Sequence, residues 1–170
     1  ESVFSIDNDN AWRFPLEALG KLKLLEEIVD DEVFKDCSAI YKRIFNITKK
    51  NRFSSLENID NDFGLSDIKD SVFSQQEEKL LFVHLDESVH QVNDILESFE
   101  NIKIYSINKM KEQYKGIFEI MCSLIVPVDS FFDNVLIMDD DKSIRENRLN
   151  ILKCMRSFFS LICDFTKVHK

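Results

Sequence analysis

Lys42, Arg43, Lys49, Lys50 and Arg52 follow one another with no acid between them, in a chain whose net charge is −9. Cations grouped in this way can neutralise phosphates. At about 100° per residue, Lys42, Arg43, Asn46, Lys49 and Lys50 cover one face of a helix, opposite Cys37, Ile40 and Ile44. Asn46 adds an amide able to hydrogen-bond a base edge or a ribose, so the functional reading is RNA contact. The plainer alternative is a helical protein-interaction domain whose basic face is merely solvated, since basic runs are common on surfaces. The acidic balance repels polyanions at long range, so any RNA contact has to be local, and neither a DNA partner nor nonspecific nucleic-acid binding is expected. Phe45 and Phe53 stand beside the cations and are the rings worth testing for stacking on bases.

A second set of cations lies near the end of the chain. Lys142, Arg145, Lys153 and Arg156 share a solvent-facing side of the last helix, where Arg145 and Arg156 are free to touch phosphate. Arg148 falls instead at the edge of the face bearing Ile144, Met155 and Phe159. A guanidinium set against a core needs an anionic partner, and Asp129 or Asp133 from the preceding turn is expected to supply it. Arg148 therefore reads as a structural clamp rather than an RNA contact.

Other chemistries fail on spacing. Asn58, Asp60 and Asp62 alternate like a calcium loop, but glycine comes one position late at Gly64, and Lys69 stands where the closing glutamate is required. Cys37, Cys122, Cys154 and Cys163 lack the paired spacing of a zinc site, and His84, His90 and His169 do not complete one. The cysteines read as reduced core residues. His84 and Asp86 diverge on a helix, and nothing is spaced to complete a hydrolytic constellation. Gly20, Gly64 and Gly116 are isolated from one another, so a phosphate-cradling loop is ruled out. No catalytic residue, metal or cofactor is expected in this chain.

The elements that must position these residues are helices. Three Gly and two Pro among 170 residues leave few tight turns, and an apolar fraction of 44% suits one continuous core. The expectation is a single all-α domain over residues 1–170, a bundle of about five to six helices. The spacing predicts helices from about Pro15 to Val29, with a stripe of Leu19, Leu22, Leu25 and Ile28, and from about Asp31 to Thr48, with a stripe starting at Val33. A loop or extended connection is expected over 51–66. A long helix from about Gln75 to Phe99 should start with a capping box of Ser74 and Glu77. A further helix from Ser106 should stop near Val126, before Pro127, and the last should span roughly Asp141 to Phe165. The longest mostly apolar stretch, Ile117 to Val128, is too short for a bilayer and is interrupted by Glu119 and Pro127. Glu1 to Asn10 show no basic start followed by an apolar run, so no signal peptide is expected, and the chain reads as a piece of a larger cytoplasmic protein.

Motifs add what composition cannot. Phe131-Phe132-Asp133-Asn134-Val135-Leu136-Ile137-Met138, an acidic run, and then Arg145-Glu146-Asn147-Arg148-Leu149-Asn150-Ile151-Leu152 resemble the "FFDxVxVM … RxNRLxLL" pattern that ends the β subunit of bacterial glycyl-tRNA synthetase. Asp164-Phe165 matches its terminal "ADF", and Tyr41-Lys42-Arg43-Ile44-Phe45-Asn46-Ile47 is similar to its "KRxxNI" element. Ala18 to Lys23 resembles the segment before that element, whereas Asn51 to Gln76 offers nothing recognisable. The chain departs from the pattern at Leu136, Ile137 and Cys163, all conservative in volume. The resemblance implies a DALR-type anticodon-binding domain that grips glycine tRNA. It also implies a whole enzyme that joins glycine to its tRNA with ATP and Mg, a heterotetramer in which the α subunit carries the chemistry. Lys42, Arg43 and Asn46 inherit the leading RNA-contact roles.

Overall fold

A computed structural model describes residues 15–50, 62–100 and 106–168. Six α-helices follow in order among them: α1 (Pro15–Ile28), α2 (Glu32–Lys50), α3 (Gln76–Glu100), α4 (Ile107–Ser123), α5 (Ile125–Asn134) and α6 (Lys142–Phe159). Two 3-10 turns, Leu65–Asp67 and Asp70–Val72, lie between α2 and α3, and the described residues include no strand. None of their helices is long and apolar enough to cross a membrane. α1 packs on α4, α2 on α5 and α6, and α3 on α4, α5 and α6, which encloses a single apolar cluster.

The contact between α1 and α4 is close because of one glycine. A Cβ at Gly20 would lie 2.6 Å from Cβ of Met110. Turning Gly20 toward α4 rotates the helix, so Ala18, Leu24, Leu25 and Ile28 are buried and Leu19 is exposed, contrary to the stripe predicted through Leu19. Glu17 accepts a hydrogen bond from Tyr114, and Lys111 pairs with Glu27 at 2.8 Å, closing the same contact at its edges.

On α2 the buried stripe begins at Phe34 rather than Val33, because the Phe34 ring is held by Phe118 and Phe165 at centroid distances of 6.1 and 5.3 Å. Cys37, Tyr41, Ile44 and Thr48 continue it. Cys37 and Cys122 face each other as free thiols with 3.8 Å between sulfurs. Residues 51–61 of the predicted connection lie outside the described residues, and the remainder is ordered. Asp62 accepts bonds from the amides of Gly64 (2.8 Å) and Ser66 (3.2 Å), the local use of a residue that had read as part of a broken calcium loop. Phe63 and Gly64 both take positive φ, 52° and 88°, a turn that inserts the Phe63 ring edge-on against Phe158.

Three helix ends differ from expectation. Helix α3 starts one residue later than the predicted capping box, so the third helical position falls on Glu78 instead of Glu77. The Glu78 carboxylate accepts the amides of Ser74 (2.9 Å) and Gln75 (2.8 Å) and the Ser74 hydroxyl (3.2 Å). The break ahead of Pro127 falls at Leu124, which places the proline in the first turn of α5, where a missing N–H costs nothing. Finally, α6 ends at Phe159, not Phe165. The chain turns after Ser160 so that the buried Phe165 can enter between Phe34, Tyr41 and Phe159.

Candidate nucleic-acid interface

Lys42, Arg43, Asn46 and Lys49 are exposed along α2, on the side away from its buried stripe. None of the three cations is paired with a carboxylate among the described residues. Arg52, Phe53 and the side chain of Lys50 lie outside the described residues.

The face is not purely solvated. The Arg43 guanidinium sits 4.0 Å from the centroid of the Phe132 ring of α5, so part of its surface is used to pack α2 against α5. The half-buried Phe45 ring is approached by Lys49 at 5.6 Å and by Arg156 of α6 at 4.7 Å, and Tyr41 stacks beside it at 6.3 Å. Arg156 also donates to the Thr48 hydroxyl at 3.4 Å. Its buried Nε–H has no partner among the described residues. Tertiary packing thus brings Arg156 onto the α2 face, although sequence spacing assigned it to a separate side of the last helix. Phe45, singled out as a ring worth testing for stacking on bases, has Lys49 and Arg156 against its ring in this structure.

Arg145 does not join them. Its guanidinium donates to the carbonyls of Asp139 (2.5 Å) and Asp140 (3.4 Å), holding the acidic loop ahead of α6. Asp141 is the N-cap of that helix, accepting the amides of Ser143 (2.7 Å) and Ile144 (3.1 Å).

Arg148 is 1% exposed, and its partners are not those predicted from sequence. Asp129 and Asp133 are exposed on α5. The anions are Glu78, accepting from Nε at 2.8 Å, and Asp139, accepting from Nη1 at 2.9 Å. Nη1 also donates to the Leu136 carbonyl (2.7 Å) and Nη2 to the Ser74 hydroxyl (2.8 Å). The partners changed because the loop after α5 folds back over the start of α3, a long-range contact that proximity in sequence does not reveal. Burial pushes the Glu78 carboxyl up, but the bonds from Arg148, Ser74 and Gln75 together outweigh it and hold the group below its ordinary value. Burial likewise works against the Arg148 charge, and Glu78 and Asp139 restore it.

Two neighbouring asparagines complete this role. Asn147 accepts from the Lys69 amide (2.7 Å) and donates to the Lys69 carbonyl (3.0 Å), and Asn150 donates to the Asp67 carbonyl (2.9 Å). Together they fasten the 3-10 segment to α6. Sequence reasoning passed over them, although two asparagines three positions apart inside a helix, where the residue is a poor helix former, were a signal of polar work to be done.

The described residues therefore form an all-α domain in which one basic helix is offered to solvent and the motif around Arg148 at the other end holds the helices together. No group of three or more metal-ligating side chains occurs among them. The chain belongs to the DALR anticodon binding domain family, whose profile matches residues 38–169 and so leaves α1 outside. It is similar to a glycine–tRNA ligase β subunit of Persephonella marina, at 30% identity over 167 residues, covering 98% of this chain and 20% of the relative. Likeness to the glycine–tRNA ligase β subunits of Rickettsia prowazekii (30%) and Rickettsia africae (28%) extends over 148 residues, 87% of this chain and 19% of each relative. The chain spans about a fifth of the length of these curated relatives.

Proposed function

We propose that this domain is the tRNA-binding module of a cytoplasmic glycine–tRNA ligase β subunit and that it grips the anticodon region of glycine tRNA through α2. The ATP- and Mg-dependent charging reaction then takes place elsewhere in the assembly with the α subunit, and the domain contributes binding alone. The observation that carries this reading is the run of exposed cations Lys42, Arg43 and Lys49, none with a carboxylate partner among the described residues, with Asn46 among them and Arg156 brought alongside. Against a net charge of −9, such a face confines phosphate attraction to one strip.

The test is a titration of glycine tRNA, with and without its anticodon arm, at several salt concentrations. Affinity should fall steeply with salt and should require the arm. The triple variant Lys42→Ala, Arg43→Ala, Lys49→Ala should flatten the logarithmic salt slope by roughly two, at about 0.7 per lost contact to single-stranded phosphate. Unchanged affinity and slope in that variant would leave the helical protein-interaction reading standing instead.

A further inference from the structure

We propose that a pocket at the amino-terminal end of the basic face receives one unstacked base of the bound RNA, an inference that rests on the tRNA-binding reading above. The cavity, of about 410 Å³, opens between the end of α1, the edge of α2 where its buried stripe meets the exposed side, and the carboxy-terminal segment. Its size falls within the range of about 300–1,000 Å³ typical of small-ligand sites.

Three features of its lining select a base. Val29, Phe34 and Val168 form apolar walls, and the Phe34 ring is fixed from behind by Phe118 and Phe165. Ser38, only 9% exposed, also lines the cavity, and its hydroxyl has no hydrogen-bond partner among the described residues. Lys42 stands at the mouth without a carboxylate partner, whereas Lys35, the other cation there, is tied to Glu32.

An aliphatic side chain entering this cavity would cover the walls but leave the hydroxyl unsatisfied, and a free phosphate would satisfy the hydroxyl but leave the walls wet. A nucleobase meets both requirements, with a flat apolar face and a donor and acceptor edge. The strand it belongs to also has somewhere to go. Lys42, Asn46 and Lys49 continue along the same side of α2 for roughly 10 Å beyond the mouth, so phosphates flanking the inserted base follow the cationic strip. Ser38 and Ala39 are chemically plain, so the pocket leaves little trace in the sequence. The available signal was Lys35, two helical turns before Lys42.

The experiment uses the full chain and the anticodon stem–loop of glycine tRNA carrying 2-aminopurine at one loop position at a time. The emission change on binding should be confined to one position. Ala39→Trp, a change at the exposed rim that fills the cavity, should abolish that change and weaken binding about tenfold, the scale of one lost base contact. Ser38→Ala should weaken binding severalfold with an unaltered melting profile, which guards against misfolding of the tryptophan variant. If the unsubstituted chain binds with the expected salt dependence but both variants leave affinity and emission unchanged, the pocket proposal is overturned and the basic face stands. If the unsubstituted chain binds no RNA, both proposals fall.

Discussion

Replacing Arg148 with alanine should cost this domain much of its stability while leaving the α2 face intact. The variant removes a guanidinium that is 1% exposed and leaves Glu78, fully buried, without its cation. Breaking one side of a buried pair costs about 3–5 kcal/mol. Glu78 would keep three bonds, from the Ser74 amide and hydroxyl and the Gln75 amide, so the lower end, about 3 kcal/mol, is expected. For a domain of this size that corresponds to a fall in Tm of roughly 6–12 °C. Arg145→Ala is the control. It gives up bonds to two carbonyls from a half-buried position, worth about 1 kcal/mol, or roughly 2–4 °C. Thermal melts of the two variants by circular dichroism make the comparison, and equal small shifts would refute the clamp. Because alanine also opens a cavity, a double-mutant cycle with Arg148→Met and Glu78→Gln isolates the pair. A coupling of about 1–3 kcal/mol is expected, and a value near zero would assign the whole effect to packing.

Two further outcomes follow from the same contacts. The folded Glu78 carboxyl titrates below its unfolded value, so its bonds contribute fully above about pH 5, weaken as pH falls through the ordinary carboxylate range near 4, and are lost below the folded value. The gap in Tm between the unsubstituted chain and Glu78→Gln should therefore be widest at neutral pH and shrink on acidification. A gap that stays constant from about pH 7 to pH 3 would contradict that assignment. Gly20→Ala should destabilise by about 1–3 kcal/mol, since the new Cβ would lie 2.6 Å from Cβ of Met110. Met110→Ala should not rescue it, because the opposing atom remains; full rescue in a denaturant titration would mean the helices are not as close as described.

Much of the fold was legible because the local rules agreed. Turn-poor composition, apolar recurrence at helical spacing, Pro127 and Asp141 each pointed to an element or an end that the structure contains. The errors arose where a distant contact overrode a local preference. Leu19 and Val33 looked like core residues on their own helices, but the close approach at Gly20 and the fixed ring of Phe34 turned each helix a little further. The end of α6 was set by the need to bury Phe165, which periodicity alone extends as helix.

By itself the sequence determined that this chain is all-α, that its acid-free run of cations lies along one strip of α2, and that Arg148 needs an anion. Turn-poor composition carries the first of these, and spacing along a helix, which fixes the relative directions of its side chains, carries the other two. Only the tertiary structure decided that the anions are Glu78 and Asp139, that Arg156 joins α2 while Arg145 turns away, and that Ser38 lines a cavity. Each of these depends on which helix lies beside which, a matter of packing among residues far apart in the chain.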